Sequence, residues 1–165
     1  MPLRKASAVW EGSFREGQGS VRLGSGLFEA PYSAASRFES GPGTNPEELI
    51  GAAHAGCFSM ALALVLEQAG YAVEHIHTKA RVSMEKTGDG YRITSIELDT
   101  EGAVPGIDER TFLEKAEAVL VPPDYDMSYM YDFEWRNLPF GHGYSHQVFH
   151  YYEQGEIVIS HFWEA

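Results

Sequence analysis

Cys57 is the only cysteine in this 165-residue chain, and a thiolate is one of the strongest nucleophiles that a side chain supplies. It lies in an apolar stretch, where burial disfavours the charged thiolate. A nearby cation is therefore needed, and no Lys or Arg occurs between Arg37 and Lys79. Arg37 is the cation closest in sequence, and Glu47 could hold its guanidinium by a bidentate pair. These residues leave two interpretations open, a reactive thiol and a small buried core residue.

Histidines offer the other chemistry in this sequence. His54 lies one helical turn before Cys57, and an interior histidine with satisfied hydrogen bonds is the favoured interpretation over a catalytic base. The C-terminal histidines have a spacing of four, which on a helix would form a metal-binding face. Glycines within that segment disfavour a helix, so a metal site is not expected and metal binding is kept as an alternative. The C-terminal histidines are His142, His146, His150 and His161.

A long helix over residues 46–69 must position Cys57. Asn45 or Thr44 can cap it, and Glu47 lies near the positive end of its dipole. Gly70 stands where a left-handed residue ends a helix. Residues 49–66 are apolar nearly all round, so we expect the helix to be enclosed on all sides, with burial in a homodimer interface. The apolar run is expected to be too short for a membrane span.

Strands are predicted on both sides of this helix. Short antiparallel strands with glycine-containing turns precede it, and Arg37 is expected at the end of the last one. A hairpin, a second helix and a terminal hairpin follow it, which together indicate an α+β fold. The predicted strands are Ser7 to Phe14, Gly19 to Leu23, Gly26 to Ala30, Lys79 to Lys86, Tyr91 to Glu101, His146 to Tyr152 and Ile157 to Trp163, and the second helix is Asp108 to Ala118.

Composition narrows the classes of function. The net charge of −12 argues against nucleic acid and anionic membranes as partners. One cysteine excludes an intramolecular disulfide and a cysteine-based zinc site. The N-terminal residues contain no apolar segment typical of a secretory signal, so a cytoplasmic location is expected. Residues 119–165 are rich in aromatic side chains and are predicted to be a divergent segment packed on the domain formed by residues 1–118.

Four motifs resemble those of the OsmC/Ohr family of organic hydroperoxide reductases, and the resemblance extends from about Lys5 to Ala118. The longest is specific and contains the helix with its cysteine. The motifs are Ala8-Val9-Trp10-Glu11-Gly12, Ser36-Arg37-Phe38-Glu39, the stretch from Gly43 to Leu62, and Ala103-Val104-Pro105-Gly106-Ile107-Asp108.

The resemblance implies a fold and an activity. The fold would be an OsmC-like α+β fold, with antiparallel sheets around a long buried central helix in an intertwined homodimer. Cys57 would attack an organic hydroperoxide and become a sulfenic acid, while Arg37 and Glu47 activate it and orient the substrate. The partners would be the hydroperoxide and a thiol or dithiol reductant. No metal or organic cofactor is implied.

One departure from the family concerns the second, resolving cysteine, which usually follows the helix matching residues 108–118. Here residues 118–123 read Ala-Val-Leu-Val-Pro-Pro, and no cysteine follows Cys57. The chain is then either a one-cysteine peroxidase resolved by an external thiol or an impaired enzyme. The rivals to a peroxidase are a family member that binds a small apolar ligand and a metal-binding protein that uses the C-terminal histidines.

Overall fold

A computed structural model describes residues 3–88, 90–120, 145–153 and 156–164. The chain forms two compact units, residues 1–50 and 51–165. The prediction of a domain over residues 1–118, with residues 119–165 packed on it, stays a prediction.

The first unit contains a three-stranded antiparallel sheet of strands β1 (Ala6–Glu11), β2 (Gln18–Leu23) and β3 (Glu29–Ser33), in the order β1-β2-β3. Gly19 pairs with Trp10, and a Cβ atom at Gly19 would lie 2.4 Å from the ring of Tyr32. Glycine therefore lets the Tyr32 ring lie across β2, where its centroid is 5.3 Å from that of Trp10. Strand β1 ends at Glu11, so Phe14 lies in the turn after it rather than in a strand as predicted.

Helix α1 (Ala34–Phe38) follows β3 directly. The prediction that Arg37 ends a strand is wrong, because this residue lies in the last turn of α1. The helix forms because Ser33 and Ser36 make a capping box: the Ser33 hydroxyl accepts from the Ser36 amide at 3.0 Å, and the Ser36 hydroxyl accepts from the Ser33 amide at 2.9 Å.

Helix α2 (Pro46–Gln68) begins at the predicted residue and ends one residue before the predicted end. The Asn45 side chain caps it by accepting from the Glu48 amide at 2.8 Å. Gly70 adopts a φ of 89°, and the Tyr71 amide reaches back to the Leu66 carbonyl at 3.1 Å, which together end the helix. At 23 residues and a mean hydropathy of 2.0, α2 is long and apolar enough to cross a membrane, so the length argument against a span is wrong.

The second unit contains a four-stranded antiparallel sheet in the order β4-β5-β7-β6. Its C-terminal hairpin coincides with the predicted one, extended by one residue at each strand end. Helix α3 (Glu109–Leu120) lies in sequence before that hairpin. The four strands are β4 (His75–Thr87), β5 (Gly90–Ala103), β6 (Ser145–Glu153) and β7 (Glu156–Glu164).

The core of the second unit lies between α2, α3 and β5. Phe58, Leu62 and Leu66 of α2 are fully buried, as is Leu98 of β5. Burying each such side chain contributes about 1.5–3 kcal/mol. One face of α2 therefore packs against α3 and the sheet of the second unit.

One face of α2 is exposed in the single chain, and the expectation that a homodimer encloses this helix stays a prediction. Met60 is 76% exposed and Leu64 is 54% exposed, and both are apolar. Ala52, Ala53 and Gly56 continue this exposed face toward the start of the helix. These residues form an exposed, largely apolar face on α2.

Candidate active site

The clearest charged contact in the first unit joins Arg37 of α1 to Glu47 in the first turn of α2. The Arg37 Nη2 donates to Glu47 Oε1 at 2.7 Å, and Nε donates to both carboxylate oxygens at 3.2 Å. The Glu47 side chain is 11% exposed and that of Arg37 is 35% exposed. A largely desolvated pair with several hydrogen bonds holds the guanidinium in one orientation.

A set of hydrogen bonds holds α1 against the start of α2. The Ser36 hydroxyl lies 2.8 Å from the Thr44 carbonyl oxygen, to which it donates. The Asn45 side-chain amide donates to the Ser36 carbonyl at 3.3 Å, while its oxygen caps α2. Ser36 and Asn45 therefore hold α1 where Arg37 meets Glu47.

Two aromatic rings lie next to the ion pair, one beyond the other. The guanidinium carbon of Arg37 lies 5.2 Å from the centroid of the Phe38 ring, within the range of a cation–π contact. The Phe14 ring packs on Phe38 at a centroid distance of 5.9 Å and a tilt of 56°. The order in space is thus carboxylate, guanidinium, inner ring and outer ring.

Cys57 lies at the border between the buried and the exposed face of α2. Its thiol is free and half-buried. The next residue, Phe58, is fully buried in the core, whereas Gly56 is exposed. A half-buried thiol in this position is open to a small reactant.

His54 lies one turn before Cys57 on the same helix. Burial lowers the pKa of His54 below its ordinary value of 6.5, because the apolar surroundings disfavour the imidazolium. His54 is therefore neutral at pH 7 and does not supply the positive charge that a thiolate needs. This agrees with the interpretation of His54 as an interior histidine.

A row of three hydroxyl groups connects α2 to the sheet, starting two residues after Cys57. Ser59 donates to Thr78 of β4 at 2.8 Å, and the hydroxyl oxygens of Thr78 and Thr100 are 3.0 Å apart. Thr100, on β5, is fully buried. Each of the three hydroxyl groups is hydrogen-bonded to another of them. Polar groups can be buried in an apolar interface without loss of stability when their hydrogen bonds are satisfied in this way.

Two cations of β4, Lys79 and Arg81, lie on the other side of the sheet from α2. Thr78 faces α2, so Lys79 and Arg81, at odd positions along the strand, face away from it. Arg81 is engaged there by Glu97 at 2.7 Å and by Asp99, which together raise the pKa of the guanidinium. These two cations are therefore unsuited to stabilise a thiolate at Cys57.

The structure brings Arg37 and Glu47 together as the sequence predicted, and it places Cys57 ten positions beyond Glu47 on α2. The catalytic roles of the three residues stay predictions. His146 and His150 lie on β6 and His161 on β7, while His142 lies outside the described residues. Within the part of the chain that the structure describes, no group of three His, Cys, Asp or Glu side chains is arranged to hold a metal ion.

Sequence reasoning missed the residues that surround the ion pair. The sequence predicts a strand at Phe14, and it marks Phe38 only as part of a motif. The serine spacing in Ser33-Ala34-Ala35-Ser36 is a capping signal and could have revealed α1. No local signal places Phe14 against Phe38, because the two rings meet through the turn between β1 and β2.

The amino-acid sequence is similar to those of known proteins. The profile of the family described as OsmC-like protein matches residues 39–120. Peroxiredoxin OsmC of Escherichia coli strain K12 is 51% identical over 119 residues, which cover 70% of this chain and 83% of that protein. Peroxiredoxin OsmC of Shigella flexneri gives the same values.

Solved structures agree on the fold. The organic hydroperoxide resistance protein OsmC of Legionella pneumophila has a TM-score of 0.56 at 21% identity, covering 72% of this chain and 84% of its own. The organic hydroperoxide resistance protein OhrB of Bacillus subtilis has a TM-score of 0.51 at 22% identity, covering 70% and 82%. At these identities the likeness concerns the fold alone.

Proposed function

We propose, because this chain belongs to the OsmC family, that it is a thiol-dependent peroxidase that reduces organic hydroperoxides to alcohols through Cys57. The observation that carries the proposal is the Arg37–Glu47 ion pair at the start of the helix that bears the single cysteine. The OsmC relatives at 51% identity are named peroxiredoxins, which supports the same activity.

The chemistry needs one nucleophile and one cation. The Cys57 thiolate attacks the terminal oxygen of the hydroperoxide, so that a sulfur–oxygen bond forms as the oxygen–oxygen bond breaks. The alkoxide leaves and takes up a proton to become the alcohol, and Cys57 becomes a sulfenic acid. The Arg37 guanidinium stabilises the negative charge on sulfur and then on the leaving oxygen, while Glu47 holds its orientation.

Reduction of the sulfenic acid must come from outside the chain, since Cys57 has no partner cysteine in the sequence. An external thiol attacks the sulfur and releases water, which leaves a mixed disulfide. A second thiol group breaks that disulfide and restores Cys57. A dithiol supplies both groups in one molecule and is therefore the reductant we propose. A cytoplasmic location completes the proposal, because thiols are kept reduced there.

The spacing along α2 leads us to propose a homodimer. Ten positions on a continuous helix correspond to about 15 Å along its axis, so Glu47 and Cys57 of one helix are well separated. If two α2 helices cross antiparallel near position 52, Glu47 of one helix lies beside Cys57 of the other. Each Arg37–Glu47 pair then serves the Cys57 of the partner subunit.

The exposed face of α2 suits such a crossing. Ala52, Ala53 and Gly56 are exposed and small, so a second helix can approach closely there. The exposed apolar side chains of Met60 and Leu64 extend the contact. Covering this face by a second copy would also complete the enclosure that the apolar sequence of α2 requires.

Replacing Gly56 by leucine is expected to convert the dimer into a monomer. In the single chain a Cβ atom at Gly56 meets nothing within 4 Å, so the larger side chain fits the isolated subunit. It would occupy the space that the second helix needs. Sedimentation velocity measures the change, and Tyr91→Leu, at an exposed position on β5, is the control. A Gly56→Leu dimer would refute the α2 crossing, and a wild-type monomer at low micromolar concentration would refute the homodimer.

The activity itself is tested by consumption of cumene hydroperoxide. With dithiothreitol we expect continuous turnover, and without a thiol we expect one equivalent to be consumed per subunit. Intact mass after one equivalent should rise by about one oxygen atom. Absence of consumption by fully reduced protein would refute the peroxidase. A rapid, reversible Cys57–Cys57 linkage between subunits would instead refute resolution by an external thiol.

A further inference from the structure

Arg37 lies on a helix that is too short to be stable alone. Helix α1 contains five residues, and an isolated helix of that length does not persist in water. Arg37 is in its last turn, and the Arg37 side chain is 35% exposed. The position of the guanidinium therefore depends on the contacts that fix α1 to the rest of the first unit.

Ser36 makes polar contacts that join α1 to the start of α2, and it is the one buried residue of α1. Its hydroxyl accepts from the Ser33 amide at 2.9 Å and donates to the Thr44 carbonyl at 2.8 Å. Its own carbonyl accepts from the Asn45 side-chain amide at 3.3 Å. Ser33 precedes α1, while Thr44 and Asn45 precede α2. Ser36 thus connects the beginnings of the two helices.

The same connection fixes the distance between the two partners of the ion pair. Arg37 directly follows Ser36, and Glu47 lies three residues after Thr44 in the chain. The guanidinium contacts Glu47 at 2.7 Å and 3.2 Å, and hydrogen bonds weaken steeply when distance or alignment is lost. A displacement of α1 by about 1 Å would therefore turn Arg37 out of the orientation that the reaction needs.

We propose that Ser36 is a positioning residue of the peroxidase reaction, which holds the Arg37 guanidinium where it meets both Glu47 and the peroxide. This inference rests on the proposed function, in which Arg37 stabilises the charge on sulfur and on the leaving oxygen. Ser36 acts through Arg37 alone, because its side chain is buried and its hydroxyl hydrogen is donated to Thr44.

Replacing Ser36 by alanine tests the proposal, since it removes the hydroxyl and keeps both Arg37 and Glu47. We expect kcat/KM for cumene hydroperoxide to fall about tenfold, mainly through kcat, because charge stabilisation in the transition state is misplaced. In an Arg37→Met background the same change should alter kcat/KM by less than about twofold, because the group that Ser36 positions is gone. Ser40→Ala, at an exposed serine of the same unit, is the matched control and should have no effect in either background. An equal loss in both backgrounds would show a general structural role and overturn the proposal, as would unchanged kinetics of Ser36→Ala.

Two further variants separate the connection to α2 from the stability of α1. Ser33→Ala removes the other half of the capping box but keeps the hydrogen bond from Ser36 to Thr44, so it should cost less activity than Ser36→Ala. A loss in Ser33→Ala as large as that in Ser36→Ala would overturn the proposal. Asn45→Ser removes the amide that donates to Ser36 while serine still caps helices, and it should lower kcat/KM about threefold. That loss should also vanish in the Arg37→Met background, which decides the proposal if Ser36→Ala does not fold.

The Nε proton of Arg37 reports the same positioning without any turnover. In the wild type this proton is donated to Glu47, which slows its exchange with water, and its NMR signal is identified by its absence in Arg37→Met. Ser36→Ala should make the exchange several-fold faster, whereas Ser40→Ala should leave it unchanged. Lack of turnover by the wild type would refute the proposed function and leave these exchange rates as the test of Ser36. An Arg37 signal that exchanges at the same rate in Ser36→Ala would overturn the positioning role in either case.

Discussion

Replacing Cys57 by serine is expected to abolish turnover of cumene hydroperoxide while the fold stays intact. A hydroxyl is a far weaker nucleophile than a thiolate toward peroxide oxygen, and the chain has no second cysteine to replace it. We expect kcat/KM to fall by at least about a thousandfold, the size of effect found when an enzyme loses its nucleophile.

The fold is expected to survive because serine is nearly isosteric with cysteine and Cys57 is only half-buried. Circular dichroism and thermal unfolding check this directly. Cys57→Ala is a second control, since it removes the hydroxyl as well and should behave like Cys57→Ser. Turnover by either folded variant would mean that another group reduces the hydroperoxide and that the peroxidase assignment to Cys57 is wrong.

Arg37→Met is expected to have the second largest effect. It removes the positive charge and the hydrogen-bond donors while keeping the length and apolar character of the side chain. We expect a loss of about a hundredfold in kcat/KM, as for other groups that stabilise developing charge. Alkylation of Cys57 by iodoacetamide at neutral pH should also slow, because less of the thiol is in the thiolate form.

Glu47→Gln tests the role of Glu47 in orienting Arg37 while leaving the positive charge of Arg37 in place. The glutamine can still accept a hydrogen bond from Arg37 but cannot hold it bidentately as a carboxylate does, so we expect a smaller loss. The double variant should lose little more than Arg37→Met alone, because Glu47 acts through Arg37. Fully additive losses would show that Glu47 acts on the substrate independently of the guanidinium.

Complementation tests whether the ion pair acts across the dimer. A heterodimer of a Cys57→Ser chain and an Arg37→Met chain, purified by two different tags, has one intact site if Arg37 serves the thiol of the partner subunit. We then expect about half of the wild-type activity, because one of two symmetry-related sites is complete. Activity no higher than that of the Arg37→Met homodimer would place Arg37 and Cys57 of the same chain in one site.

The long helix could be predicted from the sequence because its signals are local. Asn45 caps it, the acidic residues follow in the first turn, and Gly70 ends it. Helix α1 was missed because five residues carry too little periodicity to be read as a helix. Its formation depends on Ser36, which bonds to the distant Thr44 carbonyl as well as to Ser33. The insertion of β7 between β5 and β6 is likewise a non-local pairing.

The ion pair could be predicted because cations are scarce near Cys57: Arg37 is the cation closest in sequence, and Glu47 lies in the first turn of the helix. The exposed face of α2 could not be predicted. Residues 49–66 are apolar on every side of the helix, so the sequence does not indicate which side is exposed. The contact between the Phe14 and Phe38 rings could not be predicted for a different reason. Phe14 and Phe38 are far apart in sequence and meet only after the sheet and α1 have formed.

The row of hydroxyl groups of Ser59, Thr78 and Thr100 has a consequence for reactivity. Apolar contacts are not directional, so a helix packed by them alone can settle at several rotations about its own axis. Only one rotation lets Ser59 reach Thr78, and that rotation sets Cys57 at the border of the buried face. The direction in which Cys57 points from the helix axis is thus fixed by the Ser59–Thr78 hydrogen bond on the opposite side of the helix. A substitution at Thr100, which is buried in the sheet, would therefore change the exposure of the Cys57 thiol although Thr100 does not contact it.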